Sequence, residues 1–389
     1  MEHITKASLK QLLEVSDKLT EREQAVTIYV STHKSATPSH ITEDQIRLKN
    51  CVHRAVELLK MHSDTADYSK MLCAELARLI DDPAFWSQRT EGLLLCATPH
   101  TIKLFSLPMD TQEYVAVDNH LHLAPIMALA QADQDFYILL VAQHGPALYK
   151  GNMYNLEPTD IQLPKSIEAG LNLDETNLKS EQGRSAGGGP GATFNGRGGA
   201  KDPAEEDRAR FMRMIDHIIL TKANRALPLI LAGTTSETAE YHAISKYPQI
   251  LPQTITGNFN HESIQELYAK AEVVIYRTMA RKHNHEVLDR YARVKGSNPT
   301  RVASSTQAAA EAAGDGRIDT LLVGMSRFTA DNIHDGNEDV LEIAFPETDE
   351  VNHFVNNIAL QAGNSSSQVL NIPQEDMPGG APVLAILRY

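Results

Sequence analysis

The sequence predicts an α/β protein of more than one domain, and three observations lead there. The 389-residue length exceeds one ordinary domain and fits two or three of roughly 100–200 residues each. Short runs rich in β-branched and aromatic residues alternate with stretches whose apolar residues recur at helical spacing. The composition, 42% apolar and 22% charged, is that of an ordinary globular chain rather than a disordered or fibrous one.

The first region opens with MEHITKASLKQLLEV, which has no apolar signal core. No segment reaches about 18 uninterrupted apolar residues, so a cytoplasmic protein with no membrane partner is expected. A strand is predicted over 25–30 (AVTIYV), followed by a polar loop containing Pro38. Helices are predicted over 43–61, with Ile46, Val52, Val56 and Leu59 on one side, and over 68–80, with Met71, Leu72, Leu76 and Leu79. Two strands, 92–97 (GLLLCA) and 102–107 (IKLFSL), close this region. Cys51, Cys73 and Cys96 fit neither a disulfide framework nor a zinc pattern and are expected as small buried hydrophobes. His33, His53, His62 and His100 share no helical face or ligand spacing.

A β-hairpin is predicted over 135–143 and 147–150, split by His144-Gly145-Pro146, with a third strand around 154–161. Next comes the most unusual stretch of the chain, 183–201 (GRSAGGGPGATFNGRGGAK). Glycine fills eight of the seventeen positions from 183 to 199, and the charged residues of the stretch are Arg184, Arg197 and Lys201. On a chain with net charge −14 this is a local basic island. Glycine at this density opposes any fixed helix or strand, so mobility in the free protein is expected. A loop of this length inside a compact domain is either functional or a linker. The sequence after it favours function. Asp202-Pro203-Ala204-Glu205 reads as an N-cap, a proline at the first helical position and a capping-box glutamate. Phe211, Met214, Ile215, Ile218 and Ile219 then mark one buried helix face, with Lys222 next in the series.

A buried strand over 228–233 and a helix over about 237–247 follow, and a single long helix is predicted from 263 to about 294. Lys282-His283-Asn284-His285-Glu286 lies on that helix. Its histidines are two apart and therefore on different faces, unlike a zinc-protease pair, so no metal site is expected. The last region begins with an alanine-rich helix over 302–313. A strand over 320–324, a helix over 349–362 and strands over 368–372 and 383–389 complete it. From 301 to 389 there are four arginines and no lysine against thirteen acidic residues, a net of −9. Such a surface repels RNA and suits a protein partner. The domains implied are 1–128, 129–299 and 300–389. No cofactor motif occurs, and no cofactor is expected.

Several stretches together resemble a known family: HLHLAPIMAL (120–129), DFYILLVAQHGPALYKG (135–151), IDTLLVG (318–324) and MPGGAPVLAILRY (377–389). They resemble bacterial homologues of the archaeo-eukaryotic peptide release factor, which are related to Pelota. The residues before about 125 read by themselves as an N-terminal α/β unit; the resemblance, which runs from about His120 to the end, implies a central RNase H-like mixed-sheet domain carrying the loop and a C-terminal L7Ae-like α/β domain. It implies peptidyl-tRNA hydrolysis at the ribosome, with ribosome and peptidyl-tRNA as partners. On this reading the loop meets them through Arg184, Gly187, Gly188, Gly189, Arg197, Gly198, Gly199 and Lys201. The chain departs from the pattern in lacking Gly-Gly-Gln. Gln182 lies outside the glycine cluster, leaving Asn195 as the candidate catalytic carboxamide. Two other readings stand beside this one. One is a non-catalytic ribosome- or tRNA-binding factor that lacks the hydrolytic tripeptide. The other is a nucleotide phosphate loop, for which no GxxxxGK[ST] is present.

Overall fold

The apolar run Ala25–Ser31 forms a strand that is buried along nearly its whole length. The structure, a computed structural model, describes all residues except 1, 21, 34–36, 64, 88–89, 128–134, 142–144, 153, 171–202, 258, 260–263, 276–280, 332–337 and 347. The first region runs β1 (Glu2–His3), α1 (Lys6–Asp17), β2 (Ala25–Ser31), α2 (Pro38–Leu59), α3 (Ala66–Ile80), α4 (Pro83–Ser87), β3 (Gly92–Thr98), β4 (Thr101–Leu107) and β5 (Tyr114–Asp118). Its sheet has the order β1-β4-β3-β2-β5, antiparallel except for the β1–β4 pair. Val26, Ile28 and Val30 share a core with Leu48, Val52 and Leu59 of α2 and with Leu72, Leu76 and Leu79 of α3.

Three details differ from the sequence reading. Helix α2 begins at Pro38, not near 43, because the Thr37 hydroxyl accepts from the His40 N–H and the proline sits where no hydrogen bond is lost. Helix α1 was not anticipated, although Thr5 and Ser8 form a reciprocal capping box at its start. Cys51 and Cys96 are buried, whereas Cys73 is exposed. Burial pushes the Cys51 thiol up to about 12, with Glu113 adding to the rise.

The second region contains β6 (Phe136–Val141), β7 (Ala147–Gly151), β8 (Leu156–Pro158), α5 (Pro203–Lys222), β9 (Leu229–Gly233), α6 (Thr235–Ile244), β10 (Ile250–Thr256) and α7 (Ile264–Ile275). The order is β10-β9-β6-β7-β8. Strands β6, β7 and β8 are antiparallel neighbours, while β6, β9 and β10 run parallel. Numbered within the region this is 3-2-1-4-5, the RNase H-like arrangement. Strand β10 escaped the sequence reading because Pro252 interrupts it. Its place at the sheet edge is where a missing N–H is tolerated. Phe211, Met212, Ile215 and Ile219 of α5 pack with Leu139, Leu229 and Leu231 of the sheet.

The third region holds α8 (Arg281–Ser297), β11 (Val302–Ala303), α9 (Thr306–Gly314), β12 (Ile318–Asp331), β13 (Glu338–Ile343), α10 (Asp349–Asn364), β14 (Gln368–Pro373) and β15 (Val383–Leu387). Its sheet is mixed, as the α/β expectation requires: β12 is antiparallel to β13 and β15 and parallel to β14. The alanine-rich helix starts later than expected, since 302–303 pair with β15 and Ser305 caps the helix through the Ala308 N–H. The single long helix expected over 263–294 is described as two, α7 and α8, on either side of 276–280. The two serve different cores. Leu267, Tyr268 and Ala271 are buried in α7, whereas Val287 and Tyr291 of α8 pack with Leu322, Leu370 and Ile386 of the third sheet.

The chain resolves into two compact units, 134–278 and the combination of 1–133 with 279–389. Within the second of these, the first and third sheets are joined by backbone pairing. The Gln112 N–H donates to the Ile343 carbonyl at 2.9 Å, and the Ile343 N–H donates to Asp110 at 3.0 Å. Phe345 stacks on Tyr114 at a centroid distance of 4.1 Å and meets Tyr29 edge-on. Among the described residues, no helix is long and apolar enough to cross a membrane.

Candidate functional site

The residues singled out by sequence, Asn195 together with Arg184, Gly187, Gly188, Gly189, Arg197, Gly198, Gly199 and Lys201, all lie outside the described residues, as does the helix cap Asp202. The structure does describe the frame on either side of them. Upstream, Ile161, Leu163 and Ile167 pack against the core of the 134–278 unit. Gly170 then abuts α5 so closely that a Cβ there would stand 2.6 Å from Met214 Cε and 2.7 Å from Phe211 Cδ2. Downstream, α5 begins at Pro203, where the sequence places it. The glycine-rich segment therefore connects two points fastened to one helix. Gly170→Val is expected to cost about 1–3 kcal/mol through overpacking, read as a lower midpoint in urea with unchanged slope. A variant as stable as the parent would show that Gly170 does not hold the chain to α5.

Helix α5 also carries basic residues beyond the loop. Arg210, Arg213 and His217 recur at i, i+3 and i+7 and so share a face, with Arg213 and His217 exposed. Arg208, on another side, pairs with Glu240. The far end of α5 is fixed by Asp216, whose carboxylate accepts from Tyr241 Oη (3.1 Å), Ser245 Oγ (2.7 Å) and the Lys246 N–H (3.1 Å). Helix α6 is capped at its start by Thr234 and Glu237 in a reciprocal box.

A second cluster lies in the other unit, between β5 and α10. Asp118 ends β5, and His122 follows in a segment whose backbone is tightly held. The His122 N–H donates to Thr27 Oγ1 at 2.9 Å, and its carbonyl accepts from Tyr29 Oη at 2.8 Å. His122 Nε2 is 3.1 Å from Asp118 Oδ2, and its Nδ1 is 3.0 Å from Tyr114 Oη. His353, on α10, directs Nδ1 to the same Asp118 Oδ2. The remaining oxygen, Asp118 Oδ1, accepts from the Asn119 N–H at 2.7 Å. Burial by itself would raise the Asp118 carboxyl, but the His122 hydrogen bond, both histidine charges and the Asn119 amide hold it down to about 2. Burial lowers His122, against the opposing pull of Asp118, so this imidazole is neutral at physiological pH.

The comparisons with known proteins bear on the 134–278 unit. Residues 136–277 match the family model described as bacterial archaeo-eukaryotic release factor family 7. That span coincides with the compact unit to within two residues at each end. The central unit is similar to the bacterial release-factor homologues over these residues. Solved structures similar to the chain include Pelota from Archaeoglobus fulgidus, at 9% identity and a TM-score of 0.41, with 100% of this chain and 93% of that chain covered. An archaeal translation termination factor, aRF1, aligns at 14% identity and 0.24, covering 100% and 99%. Dom34 of S. cerevisiae, described as a translation termination-like factor interacting with Hbs1, aligns at 12% and 0.32, covering 68% and 64%. No curated protein matches. The likeness rests on the family match over 136–277.

In the 134–278 unit the glycine-rich segment falls in the connection between β8 and α5, over 159–202. The Asp118–His122–His353 cluster lies outside that unit, and sequence reading did not find it. Its only local signal was the four-residue spacing of Asp118 and His122. His353 is 235 residues further on than Asp118, and no spacing rule links the two.

Proposed function

We propose that this chain is a cytoplasmic, ribosome-associated release or rescue-type factor whose 183–201 segment meets peptidyl-tRNA and promotes hydrolysis of the ester joining peptide to tRNA. The observation that carries the reading is the family match over 136–277, which encloses that segment. Two further features support it. The segment holds three cations and no carboxylate on an acidic chain, and it leads into a helix with Arg210, Arg213 and His217 on one face. Dense phosphate requires local cationic partners on a protein of net −14.

The reaction asks little of the protein. Water attacks the ester carbonyl, and the developing oxyanion and departing 3′-hydroxyl need hydrogen-bond donors in a site that excludes bulk water. Glycine backbones can approach the tRNA end closely and supply N–H groups, and Asn195 supplies a side-chain amide. Pro190 has no N–H to offer. The missing Gly-Gly-Gln supports a second reading, a factor that binds the ribosome or tRNA without hydrolysis. The acidic 301–389 region, at net −9, is suited to a protein partner rather than to RNA.

Changing Arg197 and Lys201 to alanine is expected to weaken ribosome or tRNA binding. The salt slope should fall by about one unit for every phosphate deprived of its cation. The fold should be retained. Asn195→Ala should reduce release of peptide from programmed ribosomes while leaving binding nearly unchanged. Parent protein that binds but releases no peptide selects the second reading. A double variant that binds like the parent at low and high salt contradicts both.

A further inference from the structure

We propose that Asp118, His122 and His353 bind one divalent transition-metal ion of the zinc class. Each residue offers one ligand atom, and these atoms all lie within 4.8 Å of one another. Tetrahedral zinc, with nitrogen and oxygen ligands at about 2.0–2.2 Å, places its ligand atoms about 3.3 Å apart. His122 Nε2 and Asp118 Oδ2 already stand at 3.1 Å. The ring with room to adjust is that of His353, whose side chain is 39% exposed, against 17% for Asp118 and 2% for His122.

The donor set points the same way. Two imidazoles and a carboxylate suit zinc and its first-row neighbours better than calcium or magnesium, which prefer all-oxygen shells. Asp118 and His122 both have the outer partners that metal sites use. Tyr114 Oη holds His122 Nδ1, which frees Nε2 to ligate, and the Asn119 N–H occupies Asp118 Oδ1, which leaves Oδ2. Three protein ligands leave a fourth position for water on the half-exposed His353 side. Such an ion would fasten the segment after β5 to α10. It does not depend on the release-factor reading, because all three residues lie outside that unit.

The test uses full-length, tag-free protein stripped with chelator and titrated calorimetrically with zinc chloride, with the fold checked by circular dichroism. One equivalent should bind, and zinc should raise the thermal midpoint. His353→Ala and Asp118→Asn should weaken affinity by more than the about 10–100-fold that loss of an outer partner costs. Tyr114→Phe, which keeps the stack on Phe345, should fall within that range. Cobalt(II) should give a visible spectrum without thiolate charge-transfer absorption. Folded parent protein that binds zinc no more tightly than His353→Ala overturns the proposal. So does a cobalt spectrum with a thiolate band.

Discussion

Replacing Asn356 by leucine is expected to lower the unfolding free energy by about 3–5 kcal/mol. Asn356 is 0% exposed on α10. Its Oδ1 accepts from the Leu123 and Ala124 N–H groups at 2.9 and 3.2 Å, and its Nδ2 donates to the Leu121 carbonyl at 3.0 Å. These three bonds satisfy the backbone that enters the interface between the first and third sheets. Leucine has nearly the same volume, so the cavity contribution is small. What remains are two N–H groups and one carbonyl buried without partners, each costing about 1–3 kcal/mol. Equilibrium unfolding in urea should show a lower midpoint with an unchanged slope. Amide exchange should accelerate in 119–127 before it does elsewhere in that unit. A loss below about 1 kcal/mol would mean that water reaches these groups and that the interface is not dry.

Asp216→Ala should have a comparable effect in the 134–278 unit, about 3–5 kcal/mol. The carboxylate accepts from three donors, and Tyr241 is 0% exposed. Burial raises the Tyr241 phenol well above its ordinary range, with Asp216 adding to the rise, so it remains a donor at any physiological pH and must find an acceptor. Alanine removes the acceptor and opens a cavity where α5 meets the exit of α6. Asp216→Asn is the discriminating control. Its carbonyl can still accept from Tyr241 and Ser245, while its NH2 group opposes the Lys246 N–H, so the loss should be roughly half. Equal losses for the two variants would show that charge, not acceptor count, governs the site. Because α5 leads directly out of the glycine-rich segment, Asp216→Ala should also impair ribosome binding, and Asp216→Asn should do so less.

How much of this was legible in the sequence depends on the range over which each feature is determined. Strands β6, β9 and β12 announced themselves as apolar runs, and α6 by Thr234 and Glu237, because both signals are local. Strand β13, EDVLEI, looks too charged for a strand; it forms because the second half of β12 offers a partner for every one of its residues. Helices α7 and α8 pack into two separate cores, which periodicity along one chain does not reveal. The buried face of α10 was visible in its apolar spacing. The place of Asn352 and Asn356 on that face is explained only by the backbone they serve, that of Asn356 lying more than 230 positions away. For the same reason the Asp118 cluster could not be read from the chain, whereas the basic, glycine-rich segment could.

The pairing of 110–112 with 343–345 has a kinetic consequence. A unit made from two separate segments of a chain, with another unit between them, closes a long loop. High contact order slows folding, and the entropy of closure must be met before any long-range pairing stabilises the product. During synthesis the first sheet emerges early and can collapse on its own core of α2 and α3. Residues 119–127 then wait without Asn356, which lies 233 residues beyond Leu123. The 134–278 unit has no such dependence and can complete as soon as α7 has emerged. Folding order is therefore the reverse of what chain order suggests: the middle finishes first, and the beginning is finished by the end.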